Sequence, residues 1–90
     1  MIYKIKYEKE AFKFIKKHKE IGLKFYNAFI DISSNIQNTI SNYDIKKLKN
    51  IHDTYRLRIG KYRAIFKIIN NQLLILILDI DSRGDIYKKI

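Results

Sequence analysis

The chain has 90 residues, the length of one small domain, and its 47% hydrophobic content is enough for a packed core. It contains no cysteine, which excludes disulfide bonds, thiolate nucleophiles and cysteine-based zinc sites. Its 19 Lys and Arg against 9 Asp and Glu give a net charge of +10, which favours an anionic partner: a nucleic acid, an acidic protein or a membrane surface.

The sequence also limits where the chain is expected to act. Its first residues, MIYKIKYEKEAFKF, alternate and then become charged, so they lack the apolar core of a signal peptide. The longest apolar run, Leu73–Leu78, is far too short to span a bilayer. The segment 22–36 has too few lysines for a basic helix lying on a membrane. We expect a soluble, cytoplasmic, single-domain protein over residues 1–90, with no membrane partner.

Hydrophobic periodicity predicts a strand and two helices in the first half of the chain. Residues 2–7 alternate between apolar and charged side chains, which is typical of a half-buried strand. The spacing then changes to three and four residues. It predicts one helix from residue 8 to residue 19 or 20, and a second from about residue 22 to residue 36.

A polar connection follows the second predicted helix. Residues 37–42 are polar and predict a loop. Beyond it, we expect Asp44 to cap a single helical turn that runs through Lys47, with Leu48 anchoring the turn in the core.

Three strands are predicted in the second half of the chain, over residues 54–59, 62–69 and 73–80. Gly60 and Lys61 form a two-residue hairpin turn between the first two. The last strand is apolar on both faces, so it should lie inside the sheet. The expected fold class is α+β: an N-terminal strand, a two-helix hairpin and three antiparallel strands that form one curved sheet.

Arginine is used sparingly in this sequence. The chain is rich in Lys, Ile and Asn, and such a bias in composition explains many of its lysines. The four arginines, Arg56, Arg58, Arg63 and Arg83, all lie in the second half. A retained arginine suggests a need for its planar guanidinium, which binds phosphate or carboxylate through two parallel hydrogen bonds.

The tight turn at Gly60 fixes the register of the hairpin. It places Arg58 opposite Arg63, with Arg56 on the same face. Like charges directly opposite each other are destabilising, and those two strands carry no acidic residue near them. The hairpin therefore indicates an anion-binding face. The alternative is a solvated face on which the aliphatic arginine stems pack flat.

The last strand and the tail extend this face. Alternation puts Leu74, Leu76 and Leu78 on the same side as the arginines, so the C-terminus, a partner protein or both should cover them. The tail supplies Arg83 and Tyr87, and a tyrosine beside arginines can stack on a base or hold a phosphate oxygen.

The run YRLRIGKYRAIFKI, from Tyr55 to Ile68, followed by an apolar strand and SRGDIY, resembles the RelE/ParE toxin superfamily. The preceding KKLKN, with Leu48 at the family's usual leucine, adds to the likeness. The resemblance is specific over residues 46–87. It implies two helices on one side of an antiparallel sheet. For the RelE branch it also implies metal-independent, cofactor-free cleavage of messenger RNA in the ribosomal A site, by attack of the ribose 2′-hydroxyl on the adjacent phosphate.

The resemblance also assigns roles to residues. Arg56 and Arg58 stand where the best-studied member has two lysines, and Arg63, Arg83 and Tyr87 match family positions. The arginines are expected to clamp the phosphate and stabilise charge in the transition state, and Tyr87 to stack on or orient the substrate. Further contacts to RNA or ribosome are expected from the basic residues nearby: Lys46, Lys47, Lys49, Lys61 and Lys88.

The sequence departs from the family pattern in its proton chemistry. Arginine does not deprotonate in proteins, so Arg56 and Arg58 cannot be the general base that a lysine could be. The tail lacks the histidine that some branches use as an acid, and it is shorter between its arginine and its tyrosine. The base is unassigned, with His52 and Asp81 as weaker candidates.

Two alternatives remain beside the nuclease. A ParE-like toxin would bind gyrase and cleave nothing, although such chains usually lack the full arginine and tyrosine set. An RNA recognition motif is disfavoured, because both predicted helices precede the last three strands. The resemblance implies an antitoxin partner, and the leucines and basic charge independently favour an acidic or amphipathic one.

Overall fold

The computed structural model describes residues 2–35, 42–49 and 51–82. Two helices pack on one face of a five-stranded sheet. The elements in chain order are β1 (Lys4–Tyr7), α1 (Lys9–Lys17), α2 (Lys19–Ser34), β2 (Asp44–Lys47), β3 (Thr54–Ile59), β4 (Tyr62–Ile69) and β5 (Leu74–Ser82). The predicted α+β class is confirmed, with one strand more than expected.

The two predicted helices are confirmed, and they are separated by one residue. His18 has φ −112° and ψ 80°, outside the helical region, so α1 ends there and α2 starts at Lys19, earlier than predicted. Gly22 lets the two helices approach closely, because a Cβ at that position would lie 2.8 Å from the carbonyl oxygen of Ile15. The predicted end of α2, at Ile36, lies outside the described residues.

The core lies between the helices and the sheet. Its largest fully buried side chains include Phe25 and Phe29 of α2 and Phe66 of β4. The Phe66 ring meets Phe29 edge-on at 5.2 Å and stacks on Tyr55 at 5.7 Å. Contacts of this kind stabilise a core beyond the apolar area that they bury.

The strand order is β1-β5-β4-β3-β2. β3, β4 and β5 are antiparallel as predicted, but β1 runs parallel to β5, so the sheet is mixed. β5 lies between β1 and β4, which confirms its predicted interior position. Ile75 and Ile77, on the face of β5 that points to the helices, are buried. Leu74, Leu76 and Leu78 are half-buried.

The β3–β4 hairpin has the predicted register. Ile59 pairs with Tyr62 and Arg58 with Arg63. Gly60 in the turn has φ +62°, a left-handed conformation that glycine adopts without strain. The second hairpin turns through a 3₁₀ turn over Asn70–Gln72, followed by Leu73 at φ 49°.

The helical turn predicted at Asp44 is wrong, because Asp44–Lys47 forms β2 at the edge of the sheet. Four residues are too few for a stable helix, whereas β3 supplies an antiparallel partner. Ile45 packs against the core while Lys46 and Lys47 are exposed. Leu48 is half-buried rather than part of the core. Residues 37–41 of the predicted loop lie outside the described residues.

A β-bulge interrupts the pairing of β4 with β5. Phe66 pairs with Ile77 but Ile65 pairs with Asp79, so Leu78 is an extra residue without a partner on β4. The bulge shifts the alternation of β5. As a result Ile80 enters the core, and Asp79 and Asp81 take positions on the other face.

No helix within residues 2–35, 42–49 and 51–82 is long and apolar enough to cross a membrane.

Candidate functional site

The face of the sheet that points away from the helices carries three arginines, and we call it the arginine face. Strand alternation places Arg56 and Arg58 of β3 on it, and Arg63 of β4 lies directly opposite Arg58. Opposed residues in an antiparallel pair have Cα atoms about 4.5–5.5 Å apart. Two guanidinium groups can therefore act on the same small anion here.

β2 adds a carboxylate to this face. Asp44 pairs with Arg58 in the register of the two strands. Its Oδ1 accepts a hydrogen bond from Arg56 Nη2 at 2.7 Å, and its Oδ2 lies 2.9 Å from Arg58 Nε. One side chain thus binds both arginines of β3. The bond from Arg56 is charge-assisted and is of a kind that is among the stronger hydrogen bonds in proteins, whereas the contact with Arg58 is an ion pair.

The expected absence of acidic residues near the arginines therefore holds only for β3 and β4 themselves. Asp44 offsets Arg56 and Arg58 from the neighbouring strand, and the bulge brings Asp79 and Asp81 of β5 onto the same face. Arg56 in particular is buried against its carboxylate, which offsets its charge.

Arg63 differs from the two arginines of β3. No ion pair among the described residues involves it. Its buried Nε has no hydrogen-bond partner there, a feature that it shares with Arg56 Nε. Its strand neighbours across the sheet are Arg58 on one side and Asp81 on the other. A half-buried guanidinium that makes no ion pair with the described residues is suited to bind an added anion.

The three arginines are exposed to different degrees, which separates their possible roles. The Arg56 side chain is 10% exposed and the Arg58 side chain is 49% exposed. A ligand approaching from solvent can therefore reach Arg58 and Arg63 more readily than Arg56.

The lysines predicted to bind RNA do not all share the arginine face. Lys46 lies opposite Arg56 on that face, whereas Lys47 is one residue further and points to the other side. Lys47 and Lys49 instead line an open cavity with His52. Lys61 is exposed in the hairpin turn, with its Nζ 5.5 Å from the centre of the Tyr62 ring.

Sequence reasoning missed several charged residues of the arginine face. Lys67 shares it with Arg63 by alternation along β4, and Lys4 and Lys6 join it through the pairing of β1 with Leu74 and Leu76. Alternation could have found Lys67. The positions of Lys4 and Lys6 depend on a parallel pairing that no local signal reveals.

The other candidates fall into two groups. Arg83, Tyr87 and Lys88 lie outside the described residues. His52 is described, but its side chain is 91% exposed and pairs with Asp53 at 3.0 Å, and none of the three described arginines lines its cavity. Its predicted candidacy as a base therefore gains no support from its surroundings.

Two tyrosines on the helix side have perturbed acidity. Burial raises the pKa of Tyr7, and the neighbouring Tyr26 raises it further. The hydrogen bond that its hydroxyl donates to Asp31 raises the pKa of Tyr43, with a smaller contribution from burial. Both hydroxyls are therefore held protonated near neutral pH, which makes them poor bases.

Within residues 2–35, 42–49 and 51–82, no three His, Asp or Glu side chains form a group that could hold a metal ion.

Residues 5–87 match the family described as ParE toxin of type II toxin-antitoxin system, parDE. A curated relative from Methanocaldococcus jannaschii, named as a RelE1 toxin, is 28% identical over 88 residues, which cover 98% of each chain. The RelE–RelB complex of Pyrococcus horikoshii contains a chain that is 28% identical with a TM-score of 0.74, covering 94% of this chain and 99% of that one. The isolated E. coli RelE toxin has a TM-score of 0.72 at 15% identity, over 97% and 93% of the two chains, and so shares the fold.

Proposed function

The chain belongs to the ParE toxin family of type II toxin–antitoxin systems, and we propose that its toxic activity is cleavage of messenger RNA in the ribosomal A site. It is a toxin of the RelE type, as its relatives and fold indicate. The observation that carries the proposal is the opposed pair Arg58 and Arg63, in which Arg63 makes no ion pair with the described residues.

The arginine pair suits the chemistry of RNA cleavage. The ribose 2′-oxygen attacks the adjacent phosphorus, the bond to the 5′-oxygen breaks, and the products carry a cyclic phosphate and a 5′-hydroxyl. The 2′-hydroxyl loses a proton and the leaving oxygen gains one. Negative charge builds up on the phosphate oxygens in between, and fixed guanidinium groups stabilise it. Arginine keeps its own proton, so Arg58 and Arg63 would act by charge alone.

A ribosome assay tests this proposal. Purified ribosomes carrying a defined message with an empty A site are mixed with the toxin, without added metal beyond that needed by the ribosome. We expect a cut within the A-site codon that leaves a 5′-hydroxyl on the downstream fragment. The same message without ribosomes is the control, and an intact A-site message would overturn the proposal.

Inhibition of gyrase is the second candidate, because the matching family takes its name from ParE. In that case the arginine face would bind a protein surface, and the toxin would leave RNA intact. Supercoiling of relaxed plasmid by purified gyrase, measured with and without toxin, separates the two candidates. Loss of supercoiling together with an uncut message would favour the ParE activity.

We further propose that an antitoxin covers part of the arginine face in the resting cell. Relatives of known structure include RelE–RelB complexes. Half-buried Leu74 and Leu76 lie beside Lys4 and Lys6 on that face, which suits a segment with alternating apolar and acidic side chains. A bound segment there would also keep RNA away from the arginines.

Replacing Leu74 and Leu76 together by glutamate is expected to weaken antitoxin binding at least about tenfold, since two apolar contacts are lost and two like charges meet. Co-purification and titration calorimetry with the antitoxin encoded beside the toxin measure the loss. A matched change at the exposed helix positions Leu23 and Ile30 should have less effect. Equal affinity of the sheet variant and the unmodified toxin would place the antitoxin elsewhere.

A further inference from the structure

We propose that Asp44 is a positioning residue of the cleavage site, which holds Arg58 in the orientation that receives the phosphate. The inference rests on the proposed nuclease function. It concerns a residue that touches no substrate itself and acts through the two arginines of β3.

The contacts of Asp44 fix both arginines from one carboxylate. Oδ1 binds Arg56 Nη2 at 2.7 Å and Oδ2 binds Arg58 Nε at 2.9 Å. The Arg56 side chain is nine-tenths buried, so it acts as a fixed support rather than as a contact to ligand. Arginine has many rotamers, and ordering its side chain before the substrate arrives lowers the entropic cost of binding the transition state.

The exposed edge of Arg58 remains available for the substrate. Asp44 engages its Nε, and among the described residues no ion pair or hydrogen bond involves its two Nη atoms. Half of this side chain is exposed, and it lies opposite Arg63. The Nη atoms can therefore donate to a phosphate while Asp44 holds the other side of the guanidinium.

Positioning by a carboxylate has a distinctive signature, because the same group also repels the substrate. Removing its charge should make RNA bind more tightly, while loss of orientation should slow the chemical step. A residue that merely stabilised the fold would lower the fraction of active molecules. The RNA affinity and the cleavage rate of the molecules that remain folded would be unchanged.

The test uses Asp44→Asn, read by cleavage of A-site message at saturating and at limiting toxin. We expect the saturated rate to fall by about 10–100-fold, the usual effect of a misplaced catalytic group. The toxin concentration that gives half of the saturated rate should fall about threefold, as expected for removing one charge about 6 Å from a phosphate in water. Glu20→Gln is the control, since it makes the same charge change at an exposed position on α2 and should alter neither constant.

Asp44→Glu separates position from charge, because it keeps the charge and moves the carboxylate by about 1.5 Å, one carbon–carbon bond. We expect a lower saturated rate, while the toxin concentration that gives half of that rate stays unchanged. This variant also carries the test if Asp44→Asn does not fold, which circular dichroism would show. Unmodified rates in either folded variant would overturn the inference.

A pH profile of the cleavage rate tests whether Asp44 takes a direct part in proton transfer. A positioning residue leaves the shape of the profile unchanged. If Asp44→Asn removed the rising limb at low pH, Asp44 would be acting as a base, and the inference would be wrong. Failure of the proposed function gives a different result, because the unmodified toxin would then cut nothing under the same conditions.

Discussion

Arg63→Ala is expected to abolish growth arrest and to slow A-site cleavage by about 10²–10³-fold, the usual effect of removing one donor to developing negative charge. Arg63 is the arginine of β3 and β4 that makes no ion pair with the described residues, and it faces Arg58 across the hairpin. Its loss removes half of the opposed pair. Induction in a host strain and cleavage on purified ribosomes measure the two effects.

The matched control is Lys67→Ala, which removes one positive charge from the same strand and face. This substitution should weaken RNA binding without slowing the saturated cleavage rate. It should also reduce the dependence of RNA affinity on salt concentration by about one phosphate contact. Arg63→Lys keeps the charge but not the planar fork, so it should recover only part of the rate.

Arg83→Ala belongs in the same experiment. The proposed site includes Arg83 from the tail, although it lies beyond the described residues. If the Arg63→Ala and Arg83→Ala toxins, tested separately, both stayed fully active in ribosomal cleavage and growth arrest, the assignment of the arginines to the site would be wrong.

The part of the site that could be predicted from sequence depends on short-range rules. A two-residue turn fixes the register of β3 and β4, so the opposition of Arg58 and Arg63 follows from the position of Gly60. The helices follow from apolar spacing in the same way. In each case the deciding residues lie within a few positions of one another along the chain.

The parts that were missed depend on contacts between distant segments. The four residues of β2 are too few for periodicity to separate a strand from a helical turn, and only β3 decides the matter. Because β2 was predicted as a helical turn, the ion pairs of Asp44 with Arg56 and Arg58 were not expected. The bulge at Leu78 likewise has no local signal, yet it decides which face Asp79 and Asp81 occupy.

The second large effect is expected in stability rather than in chemistry. Phe66→Ala should lower the free energy of unfolding by about 3–5 kcal/mol, the usual cost of deleting a buried phenyl ring. Phe66 is fully buried between Phe29 and Tyr55. A chain of this length has a total stability of about 5–13 kcal/mol, so the variant would be close to unfolding at 37 °C. Urea titration followed by circular dichroism measures the change.

Phe12→Ala is the control for this prediction, because it deletes the same ring from a side chain that is 52% exposed and should change stability by less than about 0.5 kcal/mol. Equal midpoints for Phe66→Ala and the unmodified toxin would mean that the β4 core contacts do not hold the fold.

Phe66 also pairs with Ile77 just before the bulge, on the strand that carries Arg63. Its loss should therefore reduce the folded fraction while each folded molecule keeps its rate, whereas Arg63→Ala should leave the folded fraction intact and remove the rate. The two variants together separate the core that builds the arginine face from the face that acts on RNA.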